Sequence, residues 1–439
     1  MIEMTIPMPC YAGPDAGRVA LSSSPATTPD GAMALCGWWN VIGLAFSALC
    51  RSRQDAGPNH DIWHLRHHWR QIRGRVGAAL CRGTFRFSPV RLIDLKNGHR
   101  VEVWDAEDSL VQKMLSLALT PLLGERLSQR CFHLTGRGGL KGGVRAVRDA
   151  LANGDYHFVM RSDVRGYYAN IAHAPLLEEL RRHVDDPNIL DLVSQYCHRT
   201  VVHRGLYRFI TKGIPLGSPL SPLMGALYLA RLDRRMEELK DVFYVRFMDD
   251  WGILALTRWK LRNAVRIVNE TLSELRVEQH PDKTFIGRVE REFDFLGYHF
   301  GGLPSADQPA PFLPPARSAI ARMAGNVARL YEQGADTGRV GRYVQRWWRW
   351  LRAGLADKHV GPVIAAPARC VLVPLTFAPH TIVRGDNQTN KQDNEHYEKS
   401  RHQTLQSELL SAGNICRIKH RSVHMEQTEP RTISVYCRG

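Results

Sequence analysis

Three aspartates lie where β-rich segments of the chain end. Asp163 ends one apolar run, and Asp249 and Asp250 lie between the β-rich runs Val242–Phe247 and Trp251–Leu256. A hairpin made of these two runs would place two adjacent acids at its tip. Carboxylates are the hard ligands that Mg²⁺ prefers. Two such cations held together, one at an attacking hydroxyl and one at a triphosphate, are what nucleotidyl transfer requires, so the pattern predicts that chemistry.

The size and charge of the chain favour a polyanionic partner. The chain has 439 residues and a formal net charge of +16 at pH 7. Its length allows two or three domains with a large core. Hydrophobic residues make up 44% and charged residues 23% of the chain, which excludes a collagen-like or wholly disordered protein. A cation excess of this size most often accompanies nucleic-acid binding.

Cysteine and histidine usage predicts neither a disulfide framework nor a zinc module. The nine cysteines are irregularly spaced, and none forms a CxxC pair. His64 and His68 have the i,i+4 spacing that can hold zinc, but no acid or cysteine follows at a suitable interval. We therefore expect a solvated or phosphate-facing helix there, and a cytoplasmic protein without a disulfide-linked partner.

Composition divides the chain into an N-terminal extension (1–59), a main domain (60–300), a helical region (301–360) and a C-terminal appendix (361–439). The extension is predicted to be flexible apart from the apolar stretch Ala32–Cys50. Because Asn40 interrupts this stretch, a buried helix is favoured over a membrane contact. A Pro- and Gly-rich joint, Gly301–Pro315, begins the helical region. The appendix is predicted to be largely disordered, since polar residues dominate beyond Gly385.

Periodicity and turn residues predict the elements that position the acids. Helices are expected over His60–Arg82, Asp108–Leu123, Leu176–Arg182, Ile189–His198, Leu223–Leu239 and Leu261–Leu275, and strands over His157–Asp163 and Phe293–Phe300. Hairpins are expected over Leu92–Trp104, with its Asn97–Gly98 turn, and over Val201–Thr211. The glycine-rich stretch Thr135–Val144 is interpreted as a flexible basic turn, because it matches no phosphate-binding fingerprint.

A strongly amphipathic helix is predicted after the joint. Its apolar stripe consists of Val340, Tyr343, Val344, Trp347 and Leu351. The opposite side carries Arg339, Arg342, Arg346, Arg349 and Arg352, without any acid among them. An ordinary solvated face would normally mix in acids. A row of guanidinium groups suits a sugar–phosphate backbone, so nucleic-acid binding is favoured.

Five blocks of the sequence resemble the successive motifs of reverse transcriptases. They are RSDVRGYYANI (161–171), GIPLGSPLSPLMGALYL (213–229), YVRFMDDWGILA (244–255), EQHPDKTFIG (278–287) and FDFLGYHF (293–300). Their order and spacing are most similar to bacterial enzymes of the group II intron type. The resemblance implies an α+β right-hand polymerase fold: fingers and palm, with an antiparallel sheet packed on helices, followed by an α-helical thumb. It further implies an RNA-directed DNA polymerase with Mg²⁺ or Mn²⁺, an RNA template, a DNA or RNA primer, and deoxynucleoside triphosphates.

The resemblance also implies roles for the acids and their neighbours. Asp163 and Asp249 would be metal ligands, together with the backbone carbonyl of Val164. Asp250 would be a third acid beside the metals. Lys283 lies where these enzymes place a cation near the leaving pyrophosphate, as a proton donor; a merely solvated lysine is the alternative.

Further residues match the nucleotide site of the family. Tyr168 occupies the position whose aromatic ring excludes the ribose 2′-hydroxyl, and Tyr167 is the competing candidate by one register step. Leu216 replaces the Gln that usually precedes the block's glycine, Gly217, which puts nucleotide selection in doubt. Small residues in this block would let a nucleotide approach the backbone. The remaining matches are Lys96 and Arg100 at the triphosphate, Phe247 packing against the primer, and the primer-grip hairpin Phe295, Leu296 and Gly297.

Two other functions remain open on the sequence alone. The basic helix could serve a non-catalytic RNA-binding maturase that folds an intron RNA without needing the aspartates. The same fold could also add DNA without a template, as in phage defence. No His-Asn-His endonuclease follows the helical region.

Overall fold

Two contiguous parts of the chain form separate structural units. The computed structural model describes residues 36–95, 100–301, 313–353 and 355. Contacts divide the chain into the units Met1–Ala316 and Arg317–Gly439. The predicted flexible start and the C-terminal appendix lie outside the described residues.

The first unit is a mixture of helices and short strands. Its helices are α1 (Cys36–Ser52), α2 (Ile62–His67), α3 (Trp69–Cys81), α4 (Ala106–Gly124), α5 (Gly139–Ala152), α6 (Tyr167–Asn170), α7 (His173–Arg181), α8 (Pro187–Cys197), α9 (Ser221–Tyr228), α10 (Ala230–Glu237) and α11 (Arg258–Glu274). Its strands are β1 (Val90–Asp94), β2 (Arg100–Val103), β3 (Phe158–Ser162), β4 (Thr200–His203), β5 (Leu206–Phe209), β6 (Val242–Phe247), β7 (Asp250–Ala255), β8 (Phe285–Arg288), β9 (Phe293–Phe295) and β10 (Tyr298–Phe300).

Three sheets organise these strands. One has the order β6-β7-β3-β8 and is antiparallel throughout. A second has the order β2-β1-β4-β5, in which β1 and β4 run parallel and the other pairs antiparallel. The third is the two-stranded hairpin β9–β10. Mixed helix and mainly antiparallel sheet confirm the predicted α+β composition.

The first sheet owes its place in the core to an uninterrupted apolar strand. From Trp251 to Ala255 every residue of β7 is buried, because the strand is covered on both faces. Helix α11 packs on β7 and β3 through Leu261, Ala264 and Val268, which recur at helical spacing. The Thr257 hydroxyl accepts the Lys260 N–H and so begins this helix. The central strand of the sheet is therefore held rigidly from its sides.

Helix α1 belongs to the same core. Trp38, Ile42, Ala45 and Leu49 are buried, and the helix packs against α3 and α4. From Cys36 onward the apolar stretch thus forms a helix with one buried face, as expected. Within the described residues, no helix is both long and apolar enough to span a bilayer.

Four sequence expectations need correction. The glycine-rich stretch is helical from Gly139 onward, since Gly142 and Gly143 allow α5 to approach neighbouring side chains that a Cβ would crowd. The helix expected over Leu223–Leu239 is interrupted at Leu229 and forms α9 and α10. The helix expected over His60–Arg82 begins at Ile62 and is interrupted at His68, so that it forms α2 and α3. The run Phe293–Phe300 is a hairpin, because Leu296 and Gly297 both adopt positive φ.

The second unit contains α12 (Arg317–Glu332) and α13 (Thr337–Arg352). The Asp336 side chain accepts the Arg339 N–H at 2.6 Å and so caps α13. Val340 and Val344 are buried against Val327 and Leu330 of α12. The predicted apolar stripe of α13 is therefore its packing face.

Candidate active site

The register of β3 and β7 brings the predicted acids together. Ser162 pairs with Trp251, so Asp163 at the end of β3 lies beside Asp250 at the start of β7. Strand β6 pairs with β7 through Phe247 and Asp250, which leaves a two-residue turn of Met248 and Asp249 at the tip. A strand end and a hairpin tip thus meet at one edge of the sheet.

Burial and mutual repulsion make the carboxylates hard to ionise together. Burial raises the pKa of Asp249, and the nearby charge of Asp163 adds to this shift. Burial also raises the pKa of Asp250 to about 7, with further contributions from Asp249 and Asp163. Like charges that share a site favour the protonated form. A positive ion brought to this edge would relieve the repulsion.

Lys283 supplies the nearest positive charge. Its Nζ atom donates to Asp163 Oδ2 at 2.5 Å, and this bond raises the pKa of the lysine. The lysine lies on a 3₁₀ turn, Pro281–Lys283, that the backbone ties to β3, since the His280 N–H donates to Asp163 O at 2.9 Å. Its side chain is 56% exposed. The Asp163 carboxylate is buried, so the pair is open to solvent on the lysine side only.

The donor set suits a divalent cation. Asp163 Oδ1 is buried and has no hydrogen-bond partner, a state that costs free energy until a positive group completes it. As the side chains stand, no trio of His, Cys, Asp or Glu within residues 36–95, 100–301, 313–353 and 355 is arranged to hold a metal ion. Mg²⁺, however, takes one or two carboxylates and fills its other positions with water and phosphate oxygens. The residues fit the ion once Lys283 releases Asp163. Val164, whose carbonyl was the predicted third ligand, is buried and bridges to Gln279.

Two side chains that the sequence analysis did not identify, His133 and Arg246, form hydrogen bonds with the backbone of the β6–β7 turn. Met248 has a φ of 59°, which is unfavourable for a residue with a side chain. The Met248 N–H donates to His133 Nδ1 at 2.9 Å, and the Arg246 guanidinium donates to Met248 O at 2.8 Å. Burial lowers the pKa of His133 to about 3, so the ring is neutral. The other ring nitrogen, Nε2, then donates to Pro222 O at 3.1 Å.

Arg246 is itself fixed by a fully buried network. Its Nε donates to Asp233 Oδ1 at 2.7 Å, and Tyr244 Oη donates to the same oxygen at 2.7 Å. Arg246 and Asp233 are almost wholly inaccessible, so each satisfies the buried charge of the other. A charged residue within the apolar run of β6 was a sequence signal for Arg246. No sequence signal indicated His133, because it lies in a stretch without periodicity.

The two tyrosines of the nucleotide motif have different environments. Tyr167 is buried and its hydroxyl donates to Gly225 O at 2.5 Å. Tyr168 is half-buried, and its hydroxyl lies 3.6 Å from Met248 Sδ. A Cβ at Gly225 would come within 3.0 Å of the Tyr168 ring and 3.2 Å of the Tyr167 ring, so glycine makes room for both. Tyr168 is the ring next to the acidic turn.

The glycine block has two open positions and two buried ones. Leu216 is 67% exposed, and Gly217 has a φ of 84° with open space at its Cβ position. Ser218 and Ser221 are buried, and their hydroxyls bond to Gln112 and Pro215 O. These hydroxyls fix the loop internally, and the approach of a nucleotide to the backbone at the open Gly217 stays a prediction.

The other predicted contacts lie apart from the acids or outside the description. Lys96 lies outside the described residues. Arg100 donates to Asp94 Oδ1 at 3.0 Å and is largely exposed on β2. Hydrogen bonds from His203 and from Arg100 contribute to lowering the pKa of Asp94 to about 2.

The predicted primer contacts form a surface beside the hairpin tip. The half-buried Phe247 ring lies edge-on to His133, with ring centres 6.0 Å apart. Phe295 is buried, and a Cβ on Gly252 would come within 3.4 Å of its ring, so the β9–β10 hairpin packs on β7. The side chain of Phe295 is thus unavailable. Leu296 and Gly297 at the turn are half-buried, and the primer contact that the resemblance implies for this backbone stays a prediction.

The arginines of α13 keep the arrangement that the sequence predicted. All five, Arg339, Arg342, Arg346, Arg349 and Arg352, are exposed along one side of the helix. The Arg352 guanidinium lies 5.6 Å from the Trp348 ring centre. Their placement satisfies the geometric condition for contact with a phosphate backbone.

Comparison with known proteins identifies relatives of this chain. A profile of the family described as "Reverse transcriptase (RNA-dependent DNA polymerase)" matches residues 96–300. The "Putative COX1/OXI3 intron 1 protein" of Saccharomyces cerevisiae is 22% identical over 37% of this chain and 20% of its own length. "Protein YkfC" of Escherichia coli is 22% identical over 44% of this chain and 60% of its own length. The "Uncharacterized 91 kDa protein in cob intron" of Schizosaccharomyces pombe is 26% identical over 36% of this chain and 20% of its own length. The chain thus spans less than two thirds of each of these relatives.

Proposed function

Residues 96–300 belong to the reverse transcriptase family, and from this we propose that the protein is an RNA-directed DNA polymerase of the group II intron type. It would add deoxynucleotides to a primer 3′-hydroxyl on an RNA template. Two of the relatives are named as intron proteins, which supports the group II intron type.

The convergence of three carboxylates carries the proposal. Asp163, Asp249 and Asp250 meet where the end of β3 adjoins the β6–β7 turn, and Asp163 Oδ1 has no hydrogen-bond partner there. A structural role would leave the acids in stable ion pairs. Here Lys283 pairs with only one oxygen of one acid, and most of the lysine side chain is exposed.

In this proposal each residue has a defined task. Asp163, Asp249 and the Val164 carbonyl hold Mg²⁺ or Mn²⁺, and Asp250 adjusts the charge beside them. Ions held by these groups would supply activation of the primer hydroxyl and charge stabilisation at the triphosphate. Lys283 leaves Asp163 and donates a proton to the departing pyrophosphate. Tyr168 excludes the ribose 2′-hydroxyl, since its ring is the half-buried one beside Met248.

The elements then correspond to the parts of a right-hand polymerase. The β6-β7-β3-β8 sheet with α10 and α11 would form the palm, and the β2-β1-β4-β5 sheet with α4 the fingers. Residues 301–360, with the α12–α13 pair, would form the thumb. The arginines of α13 would hold the duplex. Residues 361–439 would be an appendix to this domain.

Primer extension on poly(rA) with an oligo(dT) primer tests the proposal. We expect Mg²⁺-dependent DNA synthesis that falls by at least about 100-fold in Asp249→Asn, because the substitution removes a charge without changing shape. The matched control is Asp191→Asn, which alters an exposed aspartate on α8 that pairs with Arg86. Absence of synthesis by the unaltered protein, or full synthesis by Asp249→Asn, would contradict the proposal.

A maturase is the second candidate, favoured by the relatives encoded in introns. It requires RNA binding through the basic surfaces and no acids. Splicing of an intron RNA that is equally fast with Asp163→Asn, in the absence of DNA synthesis by the unaltered protein, would support this alternative. Products of the same length with and without template would instead indicate untemplated addition.

A further inference from the structure

The edge strand β5 exposes aromatic side chains that the proposed chemistry does not use. Tyr207 is 67% exposed and Phe209 is 77% exposed. Every residue of the strand is exposed, and within the described residues β5 has a neighbour on one side only. Large apolar side chains grouped on a surface usually mark a binding site.

The two rings share one face of the sheet. Tyr207 pairs with Val202 and Phe209 with Thr200, and side chains of directly paired residues lie on the same face. Val202 pairs in turn with Arg91 of β1, so that an exposed arginine lies on this face two strands away. The opposite face is the one on which Val201 is buried.

The spacing of the rings suits a stack of bases. Side chains two residues apart on a strand are separated by about 6.6 to 6.8 Å. This is about twice the rise of about 3.4 Å per nucleotide along a strand. Rings so spaced on an open sheet can stack on successive or alternate bases, the arrangement that sheet-based single-strand RNA binders use.

The charges around the rings fit a polyanion. The chain has no acidic residue between Asp191 and Asp233. Arg204, Arg208 and Lys212 lie in that stretch and are exposed. Arg204 donates to Asp94, which also accepts hydrogen bonds from Arg100 and His203, so the charge of this acid is balanced by the two arginines. The surface around β5 therefore carries a net positive charge, which favours a polyanion.

The strand also leads directly into the candidate active site. Ile214 follows Phe209 by five positions, and its N–H donates to Tyr168 O at 2.8 Å. Chain of that length spans at most about 18 Å. RNA held on β5 would thus be within a few nucleotides of the predicted nucleotide position.

We propose that Tyr207 and Phe209 form a stacking platform for single-stranded RNA on β5. The platform would hold the unpaired part of the template outside the site where it is copied. This inference deepens the proposed function and rests on it, because an unpaired template is the RNA that such an enzyme handles.

The affinity gained from an unpaired overhang tests the platform. Fluorescence anisotropy would compare two labelled primer–template duplexes, one with an overhang of about a dozen nucleotides of oligo(rU) and one of about two. We expect Tyr207→Ala/Phe209→Ala to weaken binding of the long overhang by at least about 10-fold, since each stacked base contributes about 1–3 kcal/mol. Binding of the short overhang should change by less than about twofold.

Matched variants separate stacking from other causes. Trp259→Ala removes an equally exposed ring beside Arg262 on α11 and should leave both affinities unchanged. Tyr207→Phe retains the ring and should retain the affinity.

Three results would overturn the platform. They are an unchanged gain from the long overhang in the double variant, an equal loss on both duplexes, and conversion of a dimer to a monomer without loss of RNA affinity. The last result would mean that a second copy of the chain covers the rings. Asp249→Asn should keep the overhang gain while losing synthesis, so the platform and the polymerase proposal can fail separately.

Discussion

Two hairpin turns of the first unit solve the same backbone problem differently. The β4–β5 turn is Arg204–Gly205, with φ angles of 51° and 83°. The β6–β7 turn is Met248–Asp249, and Met248 has a φ of 59°. Both need a left-handed residue, which costs about 1–2 kcal/mol for any residue with a Cβ. Only the first turn uses a glycine.

The turn without glycine receives its stability from the interior. Both backbone groups of Met248 are bonded to buried side chains, His133 and Arg246. In the β4–β5 turn, Gly205 has open space at its Cβ position, and Arg204 is exposed. A turn that only reverses the chain can therefore depend on glycine. One that must carry two carboxylates in a fixed place needs bonds from the core.

The largest effect is expected from Arg246→Met. This change leaves Asp233 charged and unpaired in the core and removes the donor to Met248 O. We expect the free energy of unfolding to fall by about 3–5 kcal/mol, as for other broken buried ion pairs. Urea denaturation followed by circular dichroism measures the loss.

The control for this change is Arg266→Met, which breaks an exposed i,i+4 pair with Glu270. It should cost about 0.3–0.5 kcal/mol. Equal losses for the two variants would show that the buried network does not support the β6–β7 turn as described.

A smaller effect is expected at His133. His133→Phe removes the acceptor of the Met248 N–H and should lower the free energy of unfolding by about 1–3 kcal/mol. Because the acids would shift relative to the substrate, we expect kcat of DNA synthesis to fall by about 10- to 100-fold with little change in KM. Steady-state primer extension gives both constants.

His133→Asn is the matched variant, since its Oδ1 can occupy the place of Nδ1 and accept the same N–H. It should recover most of the lost kcat. If Asn and Phe behave alike, the hydrogen bond to Met248 does not position the acids, and His133 only fills space.

The smallest effect is expected at the turn that depends on glycine. Gly205→Ala places a Cβ on a residue with a φ of 83° and should cost about 1 kcal/mol of stability. Gly43→Ala, in α1 and with open space at its Cβ position, should instead stabilise by about 0.5–1 kcal/mol. Thermal unfolding of both variants checks the opposite signs. Two shifts of the same sign would contradict the role given to the left-handed turn.

Local signals predicted most of the elements near the acids. The β-rich run Val242–Phe247 and the apolar run after Asp250 predicted the hairpin, and turn residues predicted β1–β2 and β4–β5. These features depend on neighbours in sequence, so a single chain displays them. The placement of Asp163 beside that hairpin followed from the strand pattern together with the family resemblance.

Long-range contacts were not predictable in the same way. His133 and Met248 are distant in sequence, and nothing in the residues around His133 indicates that its ring reaches the turn. Gly142 and Gly143 suggested a flexible turn, yet close packing against Phe132 makes them helical. Ser218 and Ser221 are small residues of the glycine block, but their hydroxyls form hydrogen bonds with Gln112 and Tyr196 of other helices. The sequence does not indicate these bonds.

The packing of α1 on α4 has a practical consequence for dissecting the protein. The segment shared with the family begins at residue 96, whereas the core it depends on begins with Trp38. A fragment trimmed to the shared segment would leave the apolar side of α4, with Leu110, Met114 and others, facing water. Such a fragment should aggregate on expression. The segment that matches the family is therefore shorter than the segment that this chain needs in order to fold.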